Sequence, residues 1–115
     1  MEFDPISRRL IGLAIEVHRT LGPGVRESVY EDCLCHEMDE HGIRYRRQAA
    51  LPVTYKSVSL DCAYRLDLIV NESVIVELKA VDKLLTHLKL TRLRVGLLIN
   101  FNVEVLKSGL RRLVL

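Results

Sequence analysis

The chain has 115 residues, 49% hydrophobic, 28% charged and only 5% aromatic. That suits one compact domain over 1–115, with a core built from Leu, Ile and Val and little room for a second. A net charge of +2 permits nucleic-acid binding without requiring it, so any cationic surface has to come from local clustering.

In chain order, Asp4-Pro5 opens the first helix, with the acid as cap and proline at the first helical position. Ile6, Leu10, Leu13, Ala14, Val17 and Leu21 recur at helical spacing, and Gly22-Pro23-Gly24 ends the run. A second helix is expected over about Arg26 to Glu40, with an apolar stripe through Val29, Tyr30, Cys33, Leu34 and Met38. Glu27 falls on that stripe, three residues before Tyr30 and seven before Leu34, while Glu16 and Glu31 read as solvated. Strand-like segments follow at about Ile43 to Ala49, Leu51 to Tyr55, Cys62 to Val70 and Val74 to Ala80. Leu84 to Leu93 reads as a helix with Leu84, Leu85, Leu88 and Leu93 inward. Val95 to Phe101 is apolar throughout, as in a central or parallel strand, and Leu110 to Leu115 suits a final edge strand. The expected class is α/β, a mixed central sheet flanked by helices.

Three cysteines, Cys33, Cys35 and Cys62, form no framework spacing and point to a reducing, cytoplasmic compartment. Cys33 and Cys35, two apart on a helix, face different sides and argue against zinc. No charged-then-apolar leader and no apolar run near ~18 residues is present, so no membrane partner is expected.

The most informative stretch is Asp67-Leu68-Ile69-Val70, a polar break at Asn71-Glu72-Ser73, then Val74-Ile75-Val76-Glu77-Leu78-Lys79. A three-residue loop would pair Val70 with Val74 and set Asp67 opposite Glu77, with Lys79 on the face of Glu77. Two carboxylates facing each other on an apolar sheet repel and are costly to desolvate. Hard oxygen ligands of this kind suit Mg²⁺ or Mn²⁺, which is held by one or two carboxylates plus substrate phosphate. The same residues also suit a structural salt bridge between Lys79 and one acid. Glu27 suits either a supporting place beside the metal or a helix N-terminus, where the dipole favours acids.

His18, His36, His41 and His87 each stand alone without ligand spacing and read as surface residues; His87, one turn from Leu84, is within reach of the strand ends. Arg44, Arg46, Arg47 and Lys56, and later Arg92, Arg94, Arg111 and Arg112, suit either phosphate contacts or the charged face of an edge strand.

Gly24-Val25-Arg26-Glu27-Ser28-Val29-Tyr30 resembles the motif of the GxxExxY proteins. AIEVHRTLGPG before it, YRLDLIV and VIVELKAV in the middle and VGLLINFNVEVLKSGLRRLVL at the end extend the resemblance over nearly the whole chain. That family is grouped with the PD-(D/E)XK nuclease-like superfamily. The resemblance implies a restriction-endonuclease-like core, Mg²⁺-dependent cleavage of DNA or RNA, Asp67 as metal-binding aspartate, Glu77 and Lys79 as the E-x-K pair, and Glu27 as the helix acid. A non-catalytic nucleic-acid- or protein-binding module on the same fold is the alternative, and a homodimer through the C-terminal strand is a further expectation. One departure stands out: relatives carry a segment after the lysine strand whose glutamine often joins the site. Here Val81-Asp82-Lys83 runs straight into Leu84-Leu85-Thr86-His87, leaving His87 and Lys89 as its substitutes.

Overall fold

A computed structural model describes residues 4–50, 53–60, 65–78 and 81–115. Helix α1, Pro5–Leu21, begins where Asp4 accepts hydrogen bonds from the Ser7 backbone N–H at 2.8 Å and from the Ser7 hydroxyl at 2.7 Å. Helix α2 spans Glu27–Glu40. Strands β1 (Tyr45–Ala50), β4 (Arg65–Val70), β5 (Val74–Glu77), β6 (Val95–Ile99) and β7 (Leu110–Val114) form one sheet in the order β1-β4-β5-β6-β7. Between β1 and β4, β2 (Val53–Tyr55) and β3 (Val58–Leu60) make a separate antiparallel hairpin whose Tyr55, Val58 and Leu60 are exposed. β5 and β6 are parallel because helix α3, Val81–Thr91, crosses between them; the other neighbours are antiparallel. The fold is therefore the expected mixed sheet flanked by helices.

The sheet is covered on both faces, which explains why β5 and β6 read as apolar throughout. On one face Leu10, Leu13, Ala14 and Val17 of α1 and Tyr30, Leu34 and Met38 of α2 pack on Leu68, Val70, Val74, Val76, Leu97 and Ile99. On the other, Leu84 and Leu88 of α3 pack on Ile69, Ile75 and Leu98. A Cβ at Gly96 would lie 2.6 Å from Leu84 Cδ1, so the bare glycine lets α3 seat directly on β6.

Several expectations need correction. Leu85 is 43% exposed rather than inward, because Leu84, His87 and Leu88 take the i, i+3, i+4 stripe. On α2 the buried positions are Tyr30, Glu31, Leu34, Cys35 and Met38, so Cys35 rather than Cys33 is the fully inward cysteine. β3, only three residues long and exposed throughout, and a short 3-10 turn at Leu106–Gly109 lie outside the expected elements; Ser57-Val58-Ser59-Leu60 does alternate, but over too short a run to announce a strand. Cys62 lies outside the described residues. β1 and β7 are the two edges of the sheet. At the first, Arg46 is exposed and forms a bidentate pair with Glu72 at 2.7 and 3.0 Å, the charged face expected of an edge strand.

Candidate metal centre

The β4–β5 hairpin has the register that opposes the acids. Val70 pairs with Val74, Ile69 with Ile75 and Leu68 with Val76, and one more step sets Asp67 against Glu77. Asn71 and Glu72 adopt left-handed φ values of 53° and 50°, which closes the three-residue turn. At the end of the ladder the Leu78 N–H donates to Asp67 Oδ2 at 2.8 Å, so the aspartate side chain replaces a strand acceptor and holds β5 where it leaves the sheet.

Glu77 is 3% exposed. Its burial, the neighbouring charge of Asp67 and a hydrogen bond between the two carboxyls push it up to about 8, against a smaller pull from Lys83. At neutral pH Glu77 therefore keeps its proton. His87, 2% exposed, brings Nδ1 to 2.5 Å from Glu77 Oε1. Burial and the charge of Lys83 hold the imidazole below its ordinary range, so it is neutral. The consistent assignment has Nδ1–H donating to Glu77 while the Glu77 proton lies on the other side of its carboxyl. His87 of α3 is thus hydrogen-bonded to Glu77, whose register partner is Asp67.

His87 is not the surface histidine that its isolation suggested; its position three residues after Leu84 and one before Leu88 was the signal that placed it inward. His18 is also buried, its Nε2 2.6 Å from the Val103 carbonyl oxygen. His36, His41 and Lys89 are exposed. Lys79 lies outside the described residues.

Glu27 keeps its place on the inward stripe of α2 by spacing, yet it is exposed, because at its first residue the helix has reached the loop after β6. There it borders a cleft of ≈ 470 Å³ with Ser28, Asn100, Phe101 and Asn102. The cleft begins at Ile99, one residue past Leu98, the register partner of Glu77, so it opens at the same end of the sheet as the acids. Its two motif companions are structural. Gly24, at φ 89°, donates its N–H to Asn102 Oδ1 at 3.1 Å. The Tyr30 hydroxyl donates to the Gly22 carbonyl at 2.5 Å and accepts from the Val25 N–H at 3.1 Å, and its ring stacks on Phe101 with centroids 4.5 Å apart. Together they fasten the α1–α2 turn to the end of β6.

The buried acid of α2 is Glu31, expected to be solvated. Arg47 Nε and Nη2 reach its Oε2 at 3.0 and 2.8 Å, and Gln48 Nε2 reaches Oε1 at 3.2 Å. Adjacent strand residues ordinarily face opposite sides; the left-handed φ of Gln48, 47°, lets both reach one carboxylate. This cluster ties α2 to β1. Glu16 pairs with Arg19 at the surface, as its reading required.

Among the described residues no group of three or more His, Cys, Asp or Glu is arranged to hold a metal ion. Mg²⁺ asks for less: one or two carboxylates, with waters and substrate phosphate completing the octahedron. Asp67 and Glu77 supply hard oxygens set against each other by the register, and a divalent cation would take the place of the proton on Glu77. The donor pair fits such an ion.

A family model described as the PD-(D/E)XK nuclease superfamily matches residues 4–113. The chain belongs to that superfamily. Neither a curated protein nor a solved structure matches it. In PD-(D/E)XK terms the mixed five-stranded sheet is the common core, and membership brings an expected dependence on metal and on nucleic acid. No helix among the described residues is long and apolar enough to cross a membrane.

Proposed function

We propose that this chain is a Mg²⁺- or Mn²⁺-dependent phosphodiesterase acting on nucleic acid, a single-domain, cytoplasmic member of the GxxExxY group. The observation that carries the reading is the strand register that opposes Asp67 and Glu77, a half-buried and a fully buried acid, at the end of the β4–β5 ladder. Asp67, fixed by the Leu78 N–H, and Glu77, oriented by His87, would hold the ion. When bound, it supplies charge neutralisation at the phosphodiester and acidifies water. Lys79, two residues on from Glu77, would position the attacking water or steady charge on the phosphate, a role assigned from the E-x-K spacing. Glu27 would approach substrate from the cleft at the strand ends.

Calorimetric titration with Mg²⁺ and with Mn²⁺ tests the ion, comparing the intact protein with Asp67→Ala. Binding in the first and its loss in the second is the expected result. Incubation with single- and double-stranded DNA and RNA should give cleavage that Glu77→Gln and Lys79→Ala each abolish. Cleavage unaffected by either substitution, or metal binding unaffected by Asp67→Ala, would refute the assignment.

The second reading, a binding module without turnover, is favoured by one observation: α3 begins at Val81 with no preceding segment, and His87 rather than a glutamine meets Glu77. It predicts salt-sensitive DNA or RNA affinity that survives Lys79→Ala, with no product formed.

A further inference from the structure

The sheet register carries the row of the acids two strands further. Glu77 pairs with Leu98 of β6, and Leu98 with Arg111 of β7. Asp67, Glu77, Leu98 and Arg111 therefore lie in one line across four strands, and directly opposed residues present their side chains to the same face. Leu98 is buried under α3, whereas Arg111, at the open edge, is exposed. Two strand spacings put Arg111 about 10 Å from Glu77, roughly three nucleotides of rise along one strand of a duplex. Lys83 is close enough to act on both Glu77 and His87, and it is exposed.

The positive charge continues around the edge. A groove of ≈ 430 Å³ beside β7 has an apolar floor of Ile11, Leu97 and Leu110 and is bordered by Arg8, Lys107, Arg111 and Arg112, with no acid in its lining. Arg8 and Lys107 are exposed; Arg112 is engaged by Asp4 at 3.3 Å. Among the described residues the Arg111 guanidinium has no ion-pair partner. An edge strand gains from charge simply to deter pairing, but that purpose would be served on any row of β7. Here the exposed cation stands on the row of the acid pair.

We propose that Arg111, with Lys107 and Arg8 following it around the edge, is a phosphate-binding track that holds a nucleic-acid strand on the β7 side of the Asp67–Glu77 centre. The inference rests on the nuclease reading above and adds where the substrate runs: from the acids, across the end of β6, to the free edge. Its phosphates meet Arg111, Lys107 and Arg8, which form no ion pair among the described residues, whereas Asp4 already engages Arg112. Arg111 is a positioning residue, remote from the reacting atoms.

The test is fluorescence anisotropy with labelled single- and double-stranded DNA and RNA, with EDTA present so that nothing is cleaved, over a range of salt. Arg111→Ala should weaken binding about three- to tenfold at 50 mM salt, and the slope of log affinity against log salt should fall by about 0.7–0.9. Arg8→Ala/Lys107→Ala should lower it further, while Arg46→Ala at the opposite edge should leave it unchanged. Equal losses from Arg46→Ala and Arg111→Ala, or no loss from Arg111→Ala, would overturn the track and leave the metal-dependent reading intact. Absence of any nucleic-acid binding by the unmodified protein under these metal-free conditions would likewise overturn the track, while the metal titration and cleavage assays above decide the metal-dependent reading. Sedimentation at several concentrations completes the test: loss of self-association in Arg111→Ala with nucleic-acid affinity unchanged would assign this edge to a second copy of the chain and overturn the proposal.

Discussion

Replacing Glu77 by glutamine tests the electrostatics of the centre without any assumption about turnover. In the folded chain the Glu77 carboxyl holds its proton up to about 8, against an ordinary value of 4.5, through burial and the Asp67 charge. Above 4.5 the unfolded chain releases that proton and the folded chain does not. Folded protein therefore binds more protons across the window, and stability must fall as pH rises from about 4.5 to 8. At about 1.4 kcal/mol per pH unit the loss is on the order of 5 kcal/mol over the window, a large share of what a domain of this size has. Above 8 the term is flat. Glutamine has the shape of the protonated acid, so Glu77→Gln should remove this slope and make the protein more stable than the parent at pH 8, with little difference at pH 5. Urea denaturation at pH 5, 6, 7 and 8 reads both curves directly. Saturating Mg²⁺ should flatten the parent's curve, because a cation takes the place of the Glu77 proton, and leave that of Glu77→Gln almost unmoved. Parallel curves for parent and variant would refute the reasoning.

Three further perturbations follow from the packing. Gly96→Ala would force its Cβ against Leu84, 2.6 Å from Cδ1, and should cost about 1–3 kcal/mol in urea denaturation, with Leu84→Ala in the same chain recovering part of the loss. Arg47→Ala strands the buried Glu31 carboxylate and should cost about 1–3 kcal/mol; a double-mutant cycle with Glu31→Gln should show non-additivity, since the two residues are in direct contact. At Asp4, burial pushes the carboxyl up, but the hydrogen bonds from Ser7 and Arg112 outweigh it and hold it below 3.8. Its stabilisation is therefore full above about 4 and is lost as pH falls through the folded value, so Asp4→Ala should cost about 1 kcal/mol near pH 7 and progressively less below pH 4 in thermal melts.

Much of this arrangement was legible because short-range chemistry and long-range packing agree. Asp4-Pro5 starts α1, Gly22 ends it, and the polar triplet at 71–73 forces the register that sets Asp67 against Glu77. What was hidden depended on partners far away in sequence. Glu31 looks like any helix-surface acid until Arg47 and Gln48, sixteen and seventeen positions on, are folded over it. His87 shows no ligand spacing because its partner is a carboxylate on the preceding strand. Glu27 has the right helical phase but the wrong depth, since periodicity reports which way a residue faces and not how far the neighbouring sheet extends. The motif around it announced function, yet its glycine and tyrosine are there to clamp a turn onto Asn102 and Phe101. The place of Arg111 was invisible because a row across a sheet exists only once four strands are in register.

The grip of Arg112 on Asp4 spans 108 positions. The first turn of α1 must wait for β7 before that grip can form. α1 can coil early, since its cap and periodicity are local, but its docking is completed only when β7 has closed onto β6. A folding reaction in which α1 and β7 are fastened to each other should be cooperative, with few stable half-built forms and a strong sensitivity to removal of β7.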